Sequence, residues 1–167
     1  DMRSEYVTLF EEVEFIHKYI RIQNYRLNNK IQFETAIEEN ALRYWILKLL
    51  LQPLVENAIF HGLEPKEGNG VLVLNSTLEG DILKITIRDN GVGISGEKLS
   101  EIHRMLASPV YDTSKNIGLI NTNARLHLQY GPQYGISLES HEGDGTCVTL
   151  ILPSGMQMTK PLVGDNK

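Results

Sequence analysis

The chain has 167 residues, 41% of them hydrophobic and 22% charged, with 16 lysines and arginines against 21 aspartates and glutamates and a net charge of −5. That balance fits one domain with a sizeable core and argues against a broad nucleic-acid-binding surface, so any phosphate must be met locally; no apolar stretch approaches the ~18 residues that span a bilayer. The one cysteine, Cys147, rules out an internal disulfide and a cysteine-based zinc site, and within the apolar run from Thr146 to Leu152 it reads as a small core residue.

Apolar side chains at Phe10, Val13, Ile16, Ile20 and Ile22, separated by charges, predict a helix over about 9–28. The alternation Ile31, Phe33, Thr35, Ile37 predicts a strand, and Glu38-Glu39-Asn40 a turn. The apolar run Trp45 to Leu51 reads as part of a buried helix over about 46–61, with Pro53 in its first turn or at a kink and Gly62 placed to end it. After a loop over 64–70, strands at 71–78 and 82–88 flank Glu79-Gly80-Asp81, a hairpin signal. A helix follows near 96–106, then a polar stretch, Ser108 to Lys115, without periodicity. Helical spacing resumes from Leu119 to Tyr130 and stops at Gly131-Pro132. Strands at 136–140 and 146–152 close the pattern, and a tail from Ser154 reads as poorly ordered.

Strand pairs with hairpin-length links imply a mixed, mainly antiparallel sheet with helices gathered on one face: an α+β fold, a two-layer α/β sandwich. Regular βαβ alternation is absent, and so is a Walker A sequence. Four short constellations carry the chemistry. In Gln52 to Gly62, a helix would turn Leu54, Val55, Ala58 and Ile59 inward and leave Glu56, Asn57, Phe60 and His61 on the other side. The Asn57 amide oxygen suits Mg²⁺, which takes few protein ligands where phosphates supply the rest. In Asp89-Asn90-Gly91-Val92-Gly93-Ile94 a carboxylate at a strand end can accept from an exocyclic amine, and two glycines allow close backbone approach. Asn116-Ile117-Gly118-Leu119-Ile120-Asn121 opens a helix whose free N–H groups favour phosphate oxygens. In Gly143-Asp144-Gly145-Thr146 a hydroxyl beside a turn can reach a base directly or through water.

In this order and at these spacings the four resemble the N, G1, G2 and G3 boxes of the GHKL superfamily. The wording Leu49 to Ala58, with Gly118-Leu119-Ile120-Asn121 and Arg125-Leu126, looks like the sensor histidine kinases of bacterial two-component systems. The resemblance, covering about residues 11–153, implies a Bergerat (GHKL ATPase) fold that binds Mg·ATP and passes the γ-phosphate to a histidine outside these residues, with Mg²⁺ as cofactor. By it, Asn57 would coordinate Mg²⁺, Glu56 would take a polar role near the metal, and His61 and Lys115 would meet phosphate. Asp89 would bind the adenine amine with Thr146 assisting, Gly91 and Gly93 would shape the base pocket, and Gly118 and Leu119 would admit the phosphates. The stretch Ser108 to Lys115 would be the ATP lid.

The implied organisation is a helical segment over 1–30 leading from a dimerisation and phosphoacceptor region, an ATP-binding domain over 31–153 and a tail over 154–167. The implied partners are ATP, a histidine-containing dimerisation domain and a response-regulator receiver, with no nucleic acid, in the cytoplasmic part of a membrane-anchored homodimer. The chain departs from the family pattern at Pro53, Phe60 and Asn116, where relatives often carry an acidic or amide residue, a lysine and a glycine. None of His17, His103, His127 and His141 has metal-ligand spacing, and His17 reads as a solvated helix position. An ATP-gated ATPase or dimerisation module, and a nucleotide-sensing domain without chemistry, are the alternatives.

Overall fold

Alternation of buried and half-exposed residues along β4 (Gly70–Glu79) and β5 (Ile82–Asp89) gives these strands one face for a core and one for water, and they pair antiparallel through the turn at Gly80, whose φ is +58°. The computed structural model describes residues 5–108 and 117–154. In chain order the remaining elements are β1 (Tyr6–Thr8), α1 (Leu9–Arg26), β2 (Ile31–Ile37), a 3₁₀ turn (Glu39–Arg43), β3 (Trp45–Leu47), α2 (Leu51–Asn57) continued by a π-helical turn (Ala58–Leu63), α3 (Gly96–Ala107), α4 (Ile117–Tyr130), β6 (Gly135–His141) and β7 (Gly145–Pro153). The main sheet has the order β2-β4-β5-β7-β6; β2 lies parallel to β4 and every other pair is antiparallel. A parallel neighbour needs a crossover, and the segment carrying α2 supplies it.

The helices cover one face of the sheet, as the sequence predicts. Leu72, Leu74, Leu83, Ile85, Ile87, Val148, Leu150 and Leu152 from the strands share a core with Leu9, Val13, Ile16 and Ile20 of α1, Leu54, Val55 and Ile59 of the α2 segment, and Leu119 and Leu126 of α4. α1 thus buries Val13, Ile16 and Ile20 of the expected stripe in the same core as the sheet, while Phe10 and Ile22 are exposed and Leu9 is buried beside the stripe; Thr8 caps its first turn by accepting from the Glu11 N–H at 3.2 Å. The Ser108 to Lys115 stretch lies outside the described residues after Ser108, and so does the tail after Ser154. Among the described residues no helix is long and apolar enough to cross a membrane.

The expected helix over 46–61 is wrong at its start. Ile46 and Leu47 pair with Val7 and Tyr6 as β3, Leu49 takes a positive φ of +58°, and the helix begins only at Leu51. A short apolar run buried on all sides has no period to separate strand from helix. Pro53 does fall in the first turn, where its missing N–H costs nothing. Gly62 does not end the helix, because the π turn runs through it to Leu63.

α2 has no side-chain cap of its own, and its entry is held from two other helices. Glu12 of α1, 4% exposed, accepts the Leu51 N–H at 3.2 Å, while Arg125 of α4 donates to the carbonyls of Lys48 at 2.7 Å and Leu49 at 3.1 Å. Burial pushes the Glu12 carboxyl above its usual range, with the amides of Leu51, Leu49 and Gln52 and the charge of Arg125 pulling the other way. Glu12→Ala, which strands a buried N–H, is expected to cost about 1–3 kcal/mol of stability in urea unfolding, and Glu12→Gln, which keeps an acceptor, distinctly less.

Candidate active site

The burial alternation that sends Leu83, Ile85 and Ile87 into the core sends Asp89, the last residue of β5, to the same face, where it is 5% exposed. Its carboxylate accepts the Gly91 N–H at 2.8 Å, and the Thr146 amide helps hold it. Burial nevertheless wins over these amides and pushes its pKa from 3.8 to about 6.

Across from Asp89 stands the α2 segment, and the two walls meet backbone to backbone. A Cβ on Gly62 would lie 2.7 Å from Asp89 Oδ1, and one on Gly91 would lie 2.2 Å from the Gly62 carbonyl, which itself accepts the Val92 N–H at 3.0 Å. Gly93, at φ +73°, packs against the β6–β7 hairpin, where a Cβ would come within 2.1 Å of the His141 carbonyl. The two glycines of the Asp89 turn therefore serve first to let the turn touch Gly62 and the hairpin.

The cleft so formed is lined by Leu54, Asn57, Ala58 and His61 of the helix, Asp89, Gly93 and Ile94 of the turn, and Thr146 and Val148 of β7, and encloses about 20 Å³. That is room for about one water. Asn57, His61, Asp89, Gly93 and Thr146 from the sequence reading thus converge on one cleft, with Gly91 behind its wall. Glu56 is not among its lining: its carboxylate accepts from Gln52 Nε2 at 2.9 Å, and its charge acts on Tyr19 of α1. Gly118 sits in the first turn of α4 against Pro53, and Leu119 is a core residue, 1% exposed, so only its backbone is left for a ligand. Lys115 and Asn116 lie outside the described residues. Phe60, half-exposed, lies under the Arg26 guanidinium at 5.4 Å, and Arg26 in turn pairs with Glu64 at 2.8 Å.

A larger hollow, about 260 Å³, opens on the other face of the sheet over Val73, Arg88, Glu139 and Cys147. Size does not make it the better site: Asp89 and Thr146 border both, but the Asn57 amide and the His61 ring line only the smaller cleft. The hollow corrects the reading of Cys147, which is half-buried on the open face because it pairs with Arg88 and Glu139, out of phase with the core residue Val148. Sequence reasoning also missed Gly62 as a wall of the site and Ser140, whose hydroxyl accepts the Ile94 N–H at 2.9 Å. A glycine directly after the Asn57-to-His61 helix was a visible signal; for Ser140 there was none. Gly91 to Gly96 has the G-x-G-x-x-G spacing after a strand, but β5 has antiparallel neighbours on both sides and makes no dinucleotide crevice.

Among the described residues no group of three or more His, Cys, Asp or Glu is placed to hold a metal. Asn57, which brings the one side-chain oxygen on the helical wall of the cleft, fits a hard cation that takes its other ligands from phosphate and water.

A family model described as "Histidine kinase-, DNA gyrase B-, and HSP90-like ATPase" matches residues 45–156. The chain is similar to the sensor protein kinase HptS of Staphylococcus aureus, 33% identical over 150 residues that make up 90% of this chain and 28% of that protein. It therefore spans little more than a quarter of the length of the curated relatives it matches. Among solved structures, the catalytic domain of histidine kinase ThkA superposes with a TM-score of 0.66 at 19% identity, covering 92% of this chain and 98% of that one. The histidine kinase domain of a blue-light activated kinase from Erythrobacter litoralis gives 0.58 at 20% identity, over 91% and 64%. ThkA in complex with the response regulator protein TrrA gives 0.62 at 19%, over 89% and 41%. These likenesses show a shared fold.

Because the folded state holds the Asp89 proton to about pH 6 while the unfolded chain releases it near 3.8, the folded state binds more protons between these values, and stability falls as pH rises through that window. Asp89→Asn, which removes the buried charge, is expected to raise the melting temperature at pH 8 by roughly a few degrees and to flatten the dependence between pH 4 and 6. Thermal melts of both proteins across that range measure it.

Proposed function

The chain belongs to the histidine kinase-, DNA gyrase B- and HSP90-like ATPase family, and from that membership we propose that its cleft holds Mg·ATP for transfer of the γ-phosphate to a histidine of another domain of the same protein. It is an ATP-binding catalytic domain of the kind found in sensor histidine kinases. The observation that carries the finer reading is the buried Asp89 carboxylate, facing Asn57 and His61 across the cleft with Thr146 beside it.

In this reading Asp89 accepts a hydrogen bond from the adenine amine, Asn57 holds Mg²⁺ by its amide oxygen, and His61 and the first-turn amides of α4 at Gly118 and Leu119 lie toward the phosphates. When bound, Mg²⁺ would offset the negative charge of the phosphate oxygens. The protein contributes position and electrostatics, and the nucleophile arrives from elsewhere. Residues 1–30 would lead from the domain that carries it, 31–153 would form the ATP-binding unit, and the lid would lie within 108–115.

The ATPase alternative needs a carboxylate to activate water. Asp89 is the only acidic residue among the described residues lining the cleft, Pro53 stands at the upstream position, and Glu56 is engaged with Gln52. This favours transfer to a protein acceptor over hydrolysis. By the same reading the intact protein is a membrane-anchored homodimer with its catalytic part in the cytoplasm, and the phosphate passes on to a response-regulator receiver.

Titration of the wild type with ATP should show binding strengthened by Mg²⁺. In Asn57→Ala the strengthening should vanish while metal-free binding survives, and an unaltered Mg²⁺ effect would remove Asn57 from the metal. With γ-labelled ATP, label is expected on an added phosphoacceptor hairpin domain of the same protein, and release of free phosphate in its place would favour the ATPase.

A further inference from the structure

We infer that Ser140 is a positioning residue that fixes the direction of the Thr146 hydroxyl, so that Thr146 faces the cleft as a hydrogen-bond acceptor and selects a 6-aminopurine over a 6-oxopurine. The inference rests on the reading of the cleft as a purine nucleotide site and names one source of its specificity.

Ser140 is 7% exposed on β6 and has one O–H and two lone pairs to satisfy. Its oxygen lies 2.9 Å from the Gly145 carbonyl, which cannot donate, so the Ser140 hydrogen goes there. The Ile94 N–H donates to the same oxygen at 2.9 Å. The remaining contact, Ser140 Oγ to Thr146 Oγ1 at 2.8 Å, then has one possible donor, Thr146. All three valences of Ser140 are used, and the only hydrogen of Thr146 points away from the cleft that Thr146 lines.

Thr146 is left with lone pairs and nothing to give. Asp89, its partner across the β5–β7 ladder, offers only acceptors when ionised. An amine at purine position 6 brings hydrogens to these oxygens, whereas a carbonyl there would set a third acceptor against the two and find no donor at Thr146. Sites built this way discriminate strongly, because the wrong ligand strands buried polar groups. Without the Ser140 oxygen, the Thr146 hydroxyl can turn and donate to a carbonyl.

The test measures binding of ATP and inosine triphosphate, which differ at position 6, to the wild type, Ser140→Ala and Thr146→Val at pH 8, where Asp89 is ionised. The wild type is expected to prefer ATP, and Ser140→Ala to narrow that preference about five- to tenfold, mostly through tighter binding of inosine triphosphate. Thr146→Val, which leaves the Ser140 bonds to Ile94 and Gly145 in place, is expected to weaken ATP several-fold with inosine triphosphate unchanged or improved. The double variant should match Thr146→Val alone, since Ser140 acts through that hydroxyl. Equal weakening of both nucleotides in a folded Ser140→Ala would make Ser140 a structural residue only and overturn the proposal. If Ser140→Ala does not fold, equal weakening in Thr146→Val overturns it as well. A wild type that binds neither nucleotide overturns the nucleotide reading itself, a separate failure.

Discussion

The site depends on keeping one carboxylate out of water. Asp89 stands at the end of a central strand on its core-facing side, and the structure holds it there although burial opposes its charge. Two amides, from Gly91 and Thr146, are the compensation, and they are not enough to restore an ordinary acidity. A group so placed favours any ligand that brings it a hydrogen. Function and stability therefore pull in opposite directions at this residue, as they commonly do in binding sites.

Keeping water away from Asp89 requires the helix carrying Asn57 to approach the strand end more closely than side chains allow, which is why glycine meets glycine at Gly62 and Gly91. That contact also settles the end of the helix. A helix terminus leaves carbonyls without partners, and here the Gly62 carbonyl takes the Val92 N–H while Lys30 Nζ donates to the carbonyls of Glu64 and Lys66. The π turn widens the last stretch of helix, with Glu64 N–H reaching back to the Ile59 carbonyl, and so carries His61 and Gly62 on the side of Asn57. The other end is fixed by Glu12 and Arg125. The functional helix is short, and its position is set at both ends by residues from outside it.

Where a segment has one wet and one dry face, its period was legible in the sequence: β2 and the β4–β5 and β6–β7 hairpins match the predicted strands within a residue or two. Where a segment is dry all round, it was not, and the 46–50 stretch was read as helix when it is β3 and a turn. The convergence of Asp89, Gly93 and Thr146 on one cleft was legible because they lie near turns that have their own sequence signals. Glu56 was misleading for the opposite reason. Helical spacing places it on the outer side with Asn57, but not whether it faces the cleft, and its carboxylate is engaged by Gln52 Nε2 of its own helix. Glu12 and Ser140 belong to stripes whose other members are apolar, and no pattern in one sequence marks a polar residue there as a partner for a distant backbone amide.

The enclosed volume, about 20 Å³, constrains how a ligand enters. A purine displaces several waters, so the cleft must widen. Its strand and turn walls are poorly able to give: Asp89 is in a sheet ladder, Gly62 and Gly91 are in backbone contact, and Ile94 is tied through its N–H to Ser140. Leu54 and Val148 are buried in the core. What remains are the side chains of His61, exposed, and of Asn57 and Ile94, half-exposed, which can swing outward without breaking a backbone hydrogen bond. The cleft is consequently held through its backbone contacts and yields at three side chains, two from the helix and one from the turn.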